Sequence, residues 1–244
     1  MRLLTRMHQA RRMLRIGSLK LGRWPCPVCD GRLQIRLVRD EIGIRCLACA
    51  ATPITQSIVG VIRTEVPALA SASVYELSSR GALVDWLTGR CASLTISEYL
   101  PGVEPGASSD GVRCEDVQRL TFADDSFDLC TSTEVFEHVL DDHAGFAEVR
   151  RVLKPGGSFV FTVPFCGLAT TLERVAMRDG ELVHLLEPEY HGDPYAPARN
   201  VLCMRNYGDD ILGRLTAAGF SDARFVRPAS TMMGYARAVV VATR

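Results

Sequence analysis

The sequence predicts an α/β protein: one mostly parallel sheet, preceded by a small cysteine-bearing module that reads as a zinc ribbon. Three observations carry this. A strand, a helix and a second strand follow one another from Phe127 to Val163, the helix closed by Pro155-Gly156-Gly157. Upstream, shorter apolar runs each end in an acid, at Glu76, Glu98 and Asp116. Ahead of all of them, Cys26-Pro-Val-Cys29 and Cys46-Leu-Ala-Cys49 form two CxxC pairs separated by sixteen residues.

Size and composition set the frame. A chain of 244 residues with 47% hydrophobic content buries one substantial core and leaves room for an appendage. No apolar run approaches the roughly 20 residues that cross a bilayer, and the Arg-rich start lacks the apolar core of a secretory signal. A cytoplasmic protein without a transmembrane segment is expected. The zero net charge conceals an asymmetry, since residues 1–45 hold eleven Arg or Lys against three acids. Residues 1–23 read as a basic helix in which Leu3, Leu4, Met7, Met13, Leu14 and Ile16 alternate with arginines. Such a segment either docks on its own protein or meets nucleic acid or an acidic membrane surface, the first being favoured.

Residues 24–53 form the module. Of nine cysteines, only Cys26, Cys29, Cys46 and Cys49 are organised, and their spacing lets four thiolates converge on one tetrahedral zinc ion. Leu33–Val38 and Glu41–Arg45 read as the hairpin that brings the pairs together. Four protein ligands leave no open position, so the zinc is expected to be structural.

Residues 54–244 are assigned to the main domain, with 53–66 as a connecting strand or loop. Its first strand spans Ala72–Leu77 and runs into Ser78-Ser79-Arg80-Gly81. A short helix around Leu83, Trp86 and Leu87 follows, then a second strand over Ala92–Ser97 ending at Glu98. After the turn-rich 101–110 stretch, a third strand over Gly111–Cys114 closes at Glu115-Asp116-Val117. Phe127–Ser132 is the fourth strand, with Glu134, Glu137 and His138 placed on one face of a following helix. Asp141-Asp142 caps the next helix, whose buried stripe is Phe146, Val149, Val152 and Leu153. Arg150, Arg151 and Lys154 read as its solvated end. Ser158–Val163 is apolar enough for a central parallel strand. The 164–204 stretch is long for a connection and is expected to cover an acceptor, with His184, Glu189, Tyr190, His191 and Asp193 as its polar members. A helix over Tyr207–Gly219 and strands over Phe220–Val226 and Ala236–Thr243 complete the chain.

The run Thr121-Phe-Ala-Asp-Asp-Ser-Phe-Asp-Leu-Cys-Thr-Ser-Thr-Glu-Val-Phe-Glu-His-Val, ending in Arg150-Arg-Val-Leu-Lys-Pro-Gly-Gly-Ser-Phe-Val-Phe-Thr-Val-Pro, resembles class I S-adenosylmethionine-dependent methyltransferases of the type 11-like kind. The resemblance implies a Rossmann-like seven-stranded sheet, mostly parallel with the last strand antiparallel, and S-adenosylmethionine as cofactor. It implies cofactor contacts at Glu76, Ser78, Ser79, Gly81, Tyr99 and Ser132. Glu98 is placed on the ribose hydroxyls, and Asp116 and Val117 on the adenine, although Asp116 also reads as the cap of its own turn. The first-strand turn departs from the glycine-rich form, keeping only Gly81, but is similar to the turn of one subfamily.

For Glu134, Glu137 and His138, three roles stand open. His138 acts as a base, with Glu134 beside it; or the three bind a divalent cation, as a similar Glu-x-x-Glu-His does in ubiquinone-type O-methyltransferases; or they cap and pack. Tyr190 and His191 either orient an acceptor or satisfy loop backbone. The expected activity is methyl transfer to a small metabolite or a glycan or lipid intermediate. The alternatives are a non-catalytic binding module and a nucleic-acid methyltransferase targeted by its ribbon. The absence of an Asn-Pro-Pro-Tyr-like turn counts against the last.

Overall fold

The computed structural model describes residues 19–38, 41–192 and 200–244. The basic segment before residue 19 and Asp193 lie outside the described residues. Two compact units are present: residues up to Pro67 with Val226–Val239, and Ala68–Phe225 with Val240–Arg244.

The first unit holds β1 (Lys20–Arg23), β2 (Leu33–Arg36) and β3 (Ile44–Cys46), a three-stranded antiparallel sheet with β2 in the centre. Next comes α1 (Pro53–Glu65), where sequence patterning suggests a strand or loop. The β-branched run Ile54 to Thr64 disguises a helix whose start is well specified. Thr52 is the N-cap, its hydroxyl accepting the Thr55 N–H at 3.3 Å, and Pro53 occupies the first turn, where a missing N–H costs nothing. α1 buries Ile58, Val59, Val61 and Ile62. It joins the three-stranded sheet through a buried reciprocal amide pair, Gln34 to Gln56 at 2.7 and 3.1 Å. The 226–239 segment is tied in by Arg237, whose N–H donates to Ser57 Oγ at 3.0 Å and whose guanidinium pairs with Glu41 at 2.7 Å.

The second unit begins with β4 (Ser73–Glu76), α2 (Ala82–Leu87), β5 (Ser93–Ile96), a small ladder of β6 (Ser108–Ser109) and β7 (Val112–Arg113), and β8 (Phe127–Thr133). Then come α3 (Asp142–Val152), β9 (Leu153–Thr162), β10 (Leu172–Glu173), β11 (Val175–Arg178), β12 (Glu181–His184), β13 (Tyr190–Gly192), β14 (Asn200–Leu202) and β15 (Arg205–Asn206). α4 (Ile211–Ala217), β16 (Asp222–Val226) and β17 (Val239–Thr243) finish the chain. The main sheet has the order β16-β17-β9-β8-β4-β5, parallel from β5 to β9 and antiparallel between β9 and β17.

Among the described residues this mixed sheet has six strands rather than the seven expected. The missing one is the third: Val112 and Arg113 pair locally with Ser108–Ser109, and only Cys114 reaches the sheet, as a single parallel bridge to Glu98.

The core lies between this sheet and its helices. Phe136, Phe146, Phe159 and Phe161 pack with centroid separations of 4.2 to 5.9 Å, joined by Val149, Val152, Tyr207, Ile211 and Leu215. Asp141 caps α3 by accepting the Ala144 N–H at 3.0 Å. The basic residues expected to be a solvated helix end are all engaged. Arg151 pairs with Glu148 at 2.7 Å and Asp124 at 2.6 Å; Lys154 pairs with Asp128 at 2.8 Å; and Arg150 donates to the Gly219 carbonyl at 2.6 Å.

The 164–204 stretch folds into short two-stranded ladders, β10 with β15, β11 with β12 and β13 with β14. Asp179-Gly180, with φ of 51° and 81°, makes the tight β11–β12 turn, a signal present in the sequence and overlooked there. Among the described residues, no helix is long and apolar enough to cross a membrane.

Candidate functional site

Parallel register puts the carboxyl ends of β4, β5 and β8 side by side: Glu76 pairs with Ile96 on one side and Thr131 on the other. Residues just past those positions therefore crowd one edge of the sheet, the edge at which open α/β folds bind ligands.

Glu76 ends β4 and is fully buried. Burial pushes its carboxyl up to about 8, with hydroxyl donors on Thr131 and Ser78 opposing the rise. Near neutral pH it therefore holds its proton. Past Ser78 and Ser79 comes Gly81, with φ of 114° and ψ of 171°, a conformation open to glycine alone. A Cβ built there meets nothing within 4 Å, so conformation rather than crowding selects the residue.

Glu98 stands two residues beyond β5 and closes the turn after β4: its Oε1 accepts the Ser79 N–H at 2.9 Å and the Ser79 hydroxyl at 3.0 Å. Glu98 also forms the bridge to Cys114, which sets Asp116 two residues further along the same edge. Asp116 Oδ1 accepts from the Gln118 N–H and side-chain amide, each at 3.0 Å, so it caps its own turn. Its neighbour Glu115 is buried and fully employed by Arg113 at 2.7 Å and by the Thr121 N–H and hydroxyl at 2.9 and 2.6 Å. Val117 packs half-buried against the core, and Tyr99 is exposed. Ser132, near the end of β8, has a buried hydroxyl with no hydrogen-bond partner among the described residues. A buried polar atom left unsatisfied near the carboxyl end of β8, the strand next to β4, fits a polar ligand such as a nucleoside at that edge.

The raised Glu76 carboxyl makes a testable demand. In the unfolded chain the group ionises near its ordinary 4.5, while in the folded chain it keeps its proton to about 8. Its contribution to stability is complete below the lower value and is lost as pH rises through the higher one. Urea unfolding is expected to show stability falling between pH 5 and pH 8, by an amount on the order of a few kcal/mol, and Glu76→Gln is expected to flatten that slope. An unchanged slope in the variant contradicts the assignment.

The residues after β8 are arranged differently from the helical face expected. Glu134 has φ of 53°, a left-handed position, and its N–H donates to the Thr162 carbonyl at 3.0 Å. Only Phe136–His138 form a single 3-10 turn. Glu134 therefore does not share a helical face with Glu137 and His138. Glu137 is fully buried, its Oε1 lying 3.6 Å from His138 Nε2 and 3.6 Å from His191 Nδ1. His138 Nδ1 lies 2.9 Å from the Leu202 carbonyl, a contact that makes Nδ1 the protonated nitrogen. His191 Nε2 is 3.2 Å from Glu189 Oε1 and 3.2 Å from Cys203 Sγ. The Glu137 carboxylate, followed by burial, which opposes it, and then Glu189, leaves the His191 imidazole raised above its ordinary range. Burial, then Glu137 and Glu189, pushes the Cys203 thiol up to about 12. Tyr190 is exposed. The structure thus brings His138 and His191 together, with ring centroids 5.1 Å apart, and adds Cys203, which sequence reading passed over. No local spacing could reveal that meeting, because His138 is more than fifty residues from both His191 and Cys203.

In the first unit, Cys26 and Cys49 Sγ are 3.7 Å apart and Cys29 and Cys46 Sγ are 3.6 Å apart, with all four sulfurs mutually within 4.8 Å. Thiolates around a tetrahedral ion at about 2.3 Å bond length sit at about this separation, whereas a disulfide needs about 2.05 Å.

Residues 78–161 match the sequence model of a family described as a methyltransferase domain. A demethylmenaquinone methyltransferase from Mycolicibacterium vanbaalenii is 30% identical over 162 residues, 64% of this chain and 66% of that protein. A malonyl-[acyl-carrier protein] O-methyltransferase from Methylococcus capsulatus is 35% identical over 96 residues, 37% of this chain and 34% of that protein. The chain thus spans less than two thirds of the length of these curated relatives. A solved S-adenosylmethionine-dependent methyltransferase from Mesorhizobium loti aligns with a TM-score of 0.48 at 19% identity, over 75% of this chain and 96% of that one.

Proposed function

We propose that the chain is an S-adenosylmethionine-dependent methyltransferase, with a small N-terminal module held by a structural zinc on Cys26, Cys29, Cys46 and Cys49. The observation that carries the proposal is Glu98: it sits at the carboxyl end of β5 and is already braced by the Ser79 N–H and hydroxyl on one oxygen. A carboxylate fixed in this way is preorganised to accept hydrogen bonds from ribose hydroxyls. Asp116 and Val117 are assigned to the adenine, and Glu76, Ser78, Ser79, Gly81, Tyr99 and Ser132 to the rest of the cofactor. When bound, the cofactor supplies a methyl group on a sulfonium, which is a good leaving group. The work of the chain is therefore to hold donor and acceptor in line and to exclude water. Glu134 and His138 lie on the acceptor side with Tyr190 and His191 of the insertion, and a base is needed only for an acceptor still carrying its proton. The curated relatives, named for demethylmenaquinone and malonyl-acyl-carrier protein, support a small-molecule, lipid-like or carrier-bound acceptor.

Equilibrium binding of labelled S-adenosylmethionine tests the proposal. Losing a charged hydrogen-bond acceptor costs about 1.5 to 3 kcal/mol, so Glu98→Ala is expected to weaken binding roughly 10- to 100-fold, and Asp116→Ala less, because its carboxylate also serves its own turn. Unchanged affinity in both variants overturns the cofactor assignment.

A further inference from the structure

We propose that the second unit holds a metal centre of its own, formed by His138, His191 and Cys203 beside the buried Glu137 carboxylate, and that it takes a zinc-class divalent ion. The reading does not rest on the methyltransferase assignment, and it commits His138 to the ion in place of a base.

The donor atoms are already assembled. His138, His191 and Cys203 each offer one ligand atom within 4.8 Å of the others. Cys203 Sγ is 3.2 Å from His191 Nε2, the nitrogen of that ring that would ligate, and Glu137 Oε1 lies 3.6 Å from His138 Nε2. Ligands at about 2.0 to 2.3 Å around a tetrahedral ion are separated by roughly these distances.

Glu137 supplies the second, independent observation. Its side chain is wholly buried and neither carboxylate oxygen has a hydrogen bond among the described residues. A buried carboxylate costs several kcal/mol unless a cation or donors meet it, and imidazole nitrogens at 3.6 Å are beyond hydrogen-bond length. An ion between them would close that gap.

The outer contacts have the form metal sites require. The Leu202 carbonyl 2.9 Å from His138 Nδ1 fixes the tautomer that leaves the Nε2 lone pair toward Glu137. With Nε2 on the ion, His191 Nδ1 faces the Glu137 carboxylate at 3.6 Å, toward which its N–H would point.

The donor set selects the ion. A thiolate and two imidazoles favour zinc and its transition-metal neighbours over magnesium or calcium, which prefer oxygen. This differs from a hard-cation site on Glu134, Glu137 and His138, since two of the three donors, His191 and Cys203, come from the insertion. The ion would clasp β13 and the end of β14 to the turn after β8.

Zinc analysis of the full chain after equilibration with zinc and gel filtration tests this. The wild type is expected to carry one zinc more per chain than Cys203→Ser and one more than His191→Gln, all measured on protein with unchanged circular dichroism. Equal zinc in the wild type and both variants overturns the proposal. X-ray absorption at the zinc edge of the wild type needs no variant: nitrogen and oxygen neighbours alongside sulfur are expected, and a shell of sulfur alone overturns it. Neither readout depends on cofactor binding or turnover, so its failure is distinct from failure of the methyltransferase reading.

Discussion

Cys26→Ser is expected to release the zinc proposed for residues 24–53 and unfold that module. Cys26 is buried just beyond β1, beside a sheet whose strands are three or four residues long, too small for an apolar core of its own. In such modules the binding free energy of zinc, about 10 to 16 kcal/mol in small peptides, is the folding free energy. Three thiolates and a hydroxyl retain little of it. Hydrogen exchange by mass spectrometry should show the amides of β1 to β3 losing protection, while those of β4, β8 and β9 keep theirs. The same result is expected on treating the wild type with a strong chelator. Ribbon amides protected as before would show that Gln34, Gln56 and the buried face of α1 hold the module without metal.

The second large effect is expected at Arg205. Its guanidinium is buried and donates to the carbonyls of Phe136 and Val139, to that of Leu140 at 2.8 Å and to Glu173 at 3.1 Å, with Asp142 at 3.6 Å. It therefore satisfies the backbone of the turn after β8 and ties that turn to β10 and β15. Arg214 already serves Asp142 at 3.0 Å and Glu173 at 2.7 Å, and Tyr207 donates to Asp142 at 2.8 Å, so the remaining groups cannot regroup to replace the lost donors. Removing one partner of a buried charge network costs about 3 to 5 kcal/mol, and Arg205→Met is expected to lower the urea-unfolding free energy by that amount. Arg205→Lys is expected to recover little, because a single ammonium cannot reach several carbonyls in one plane. A loss below about 1 kcal/mol for Arg205→Met would show that the turn is held by packing alone.

Much of the second unit is legible in the sequence because its signals are local. β4, β5, β8, β9, α3 and β17 follow from apolar runs and the Asp141 cap, although α3 ends at Val152 and β9 starts at Leu153 and runs through Pro155-Gly156-Gly157, the residues expected to close the helix. The edge that gathers Glu76, Glu98 and Asp116 follows from their place at strand ends. What patterning misses depends on competition or distance. α1 is obscured by β-branched residues, although Thr52-Pro53 marks its start. The third strand gives way to a local ladder, which uses Val112 and Arg113 before the main sheet can. Glu134 breaks the helical face expected of it because its backbone turns left-handed to bond Thr162. His191, Cys203 and Arg205 owe their positions to pairing across the insertion, which no short window contains.

The central claim is that Glu98 and Asp116 grip the sugar and base of one nucleoside at the edge formed by β4, β5 and β8. A crystal structure of the chain with S-adenosylhomocysteine measures this directly. The account predicts ribose hydroxyls within hydrogen-bond distance of Glu98, the adenine beside Asp116 and Val117, and the sulfur facing the insertion. A ligand bound elsewhere, or both carboxylates turned from it, would contradict the account.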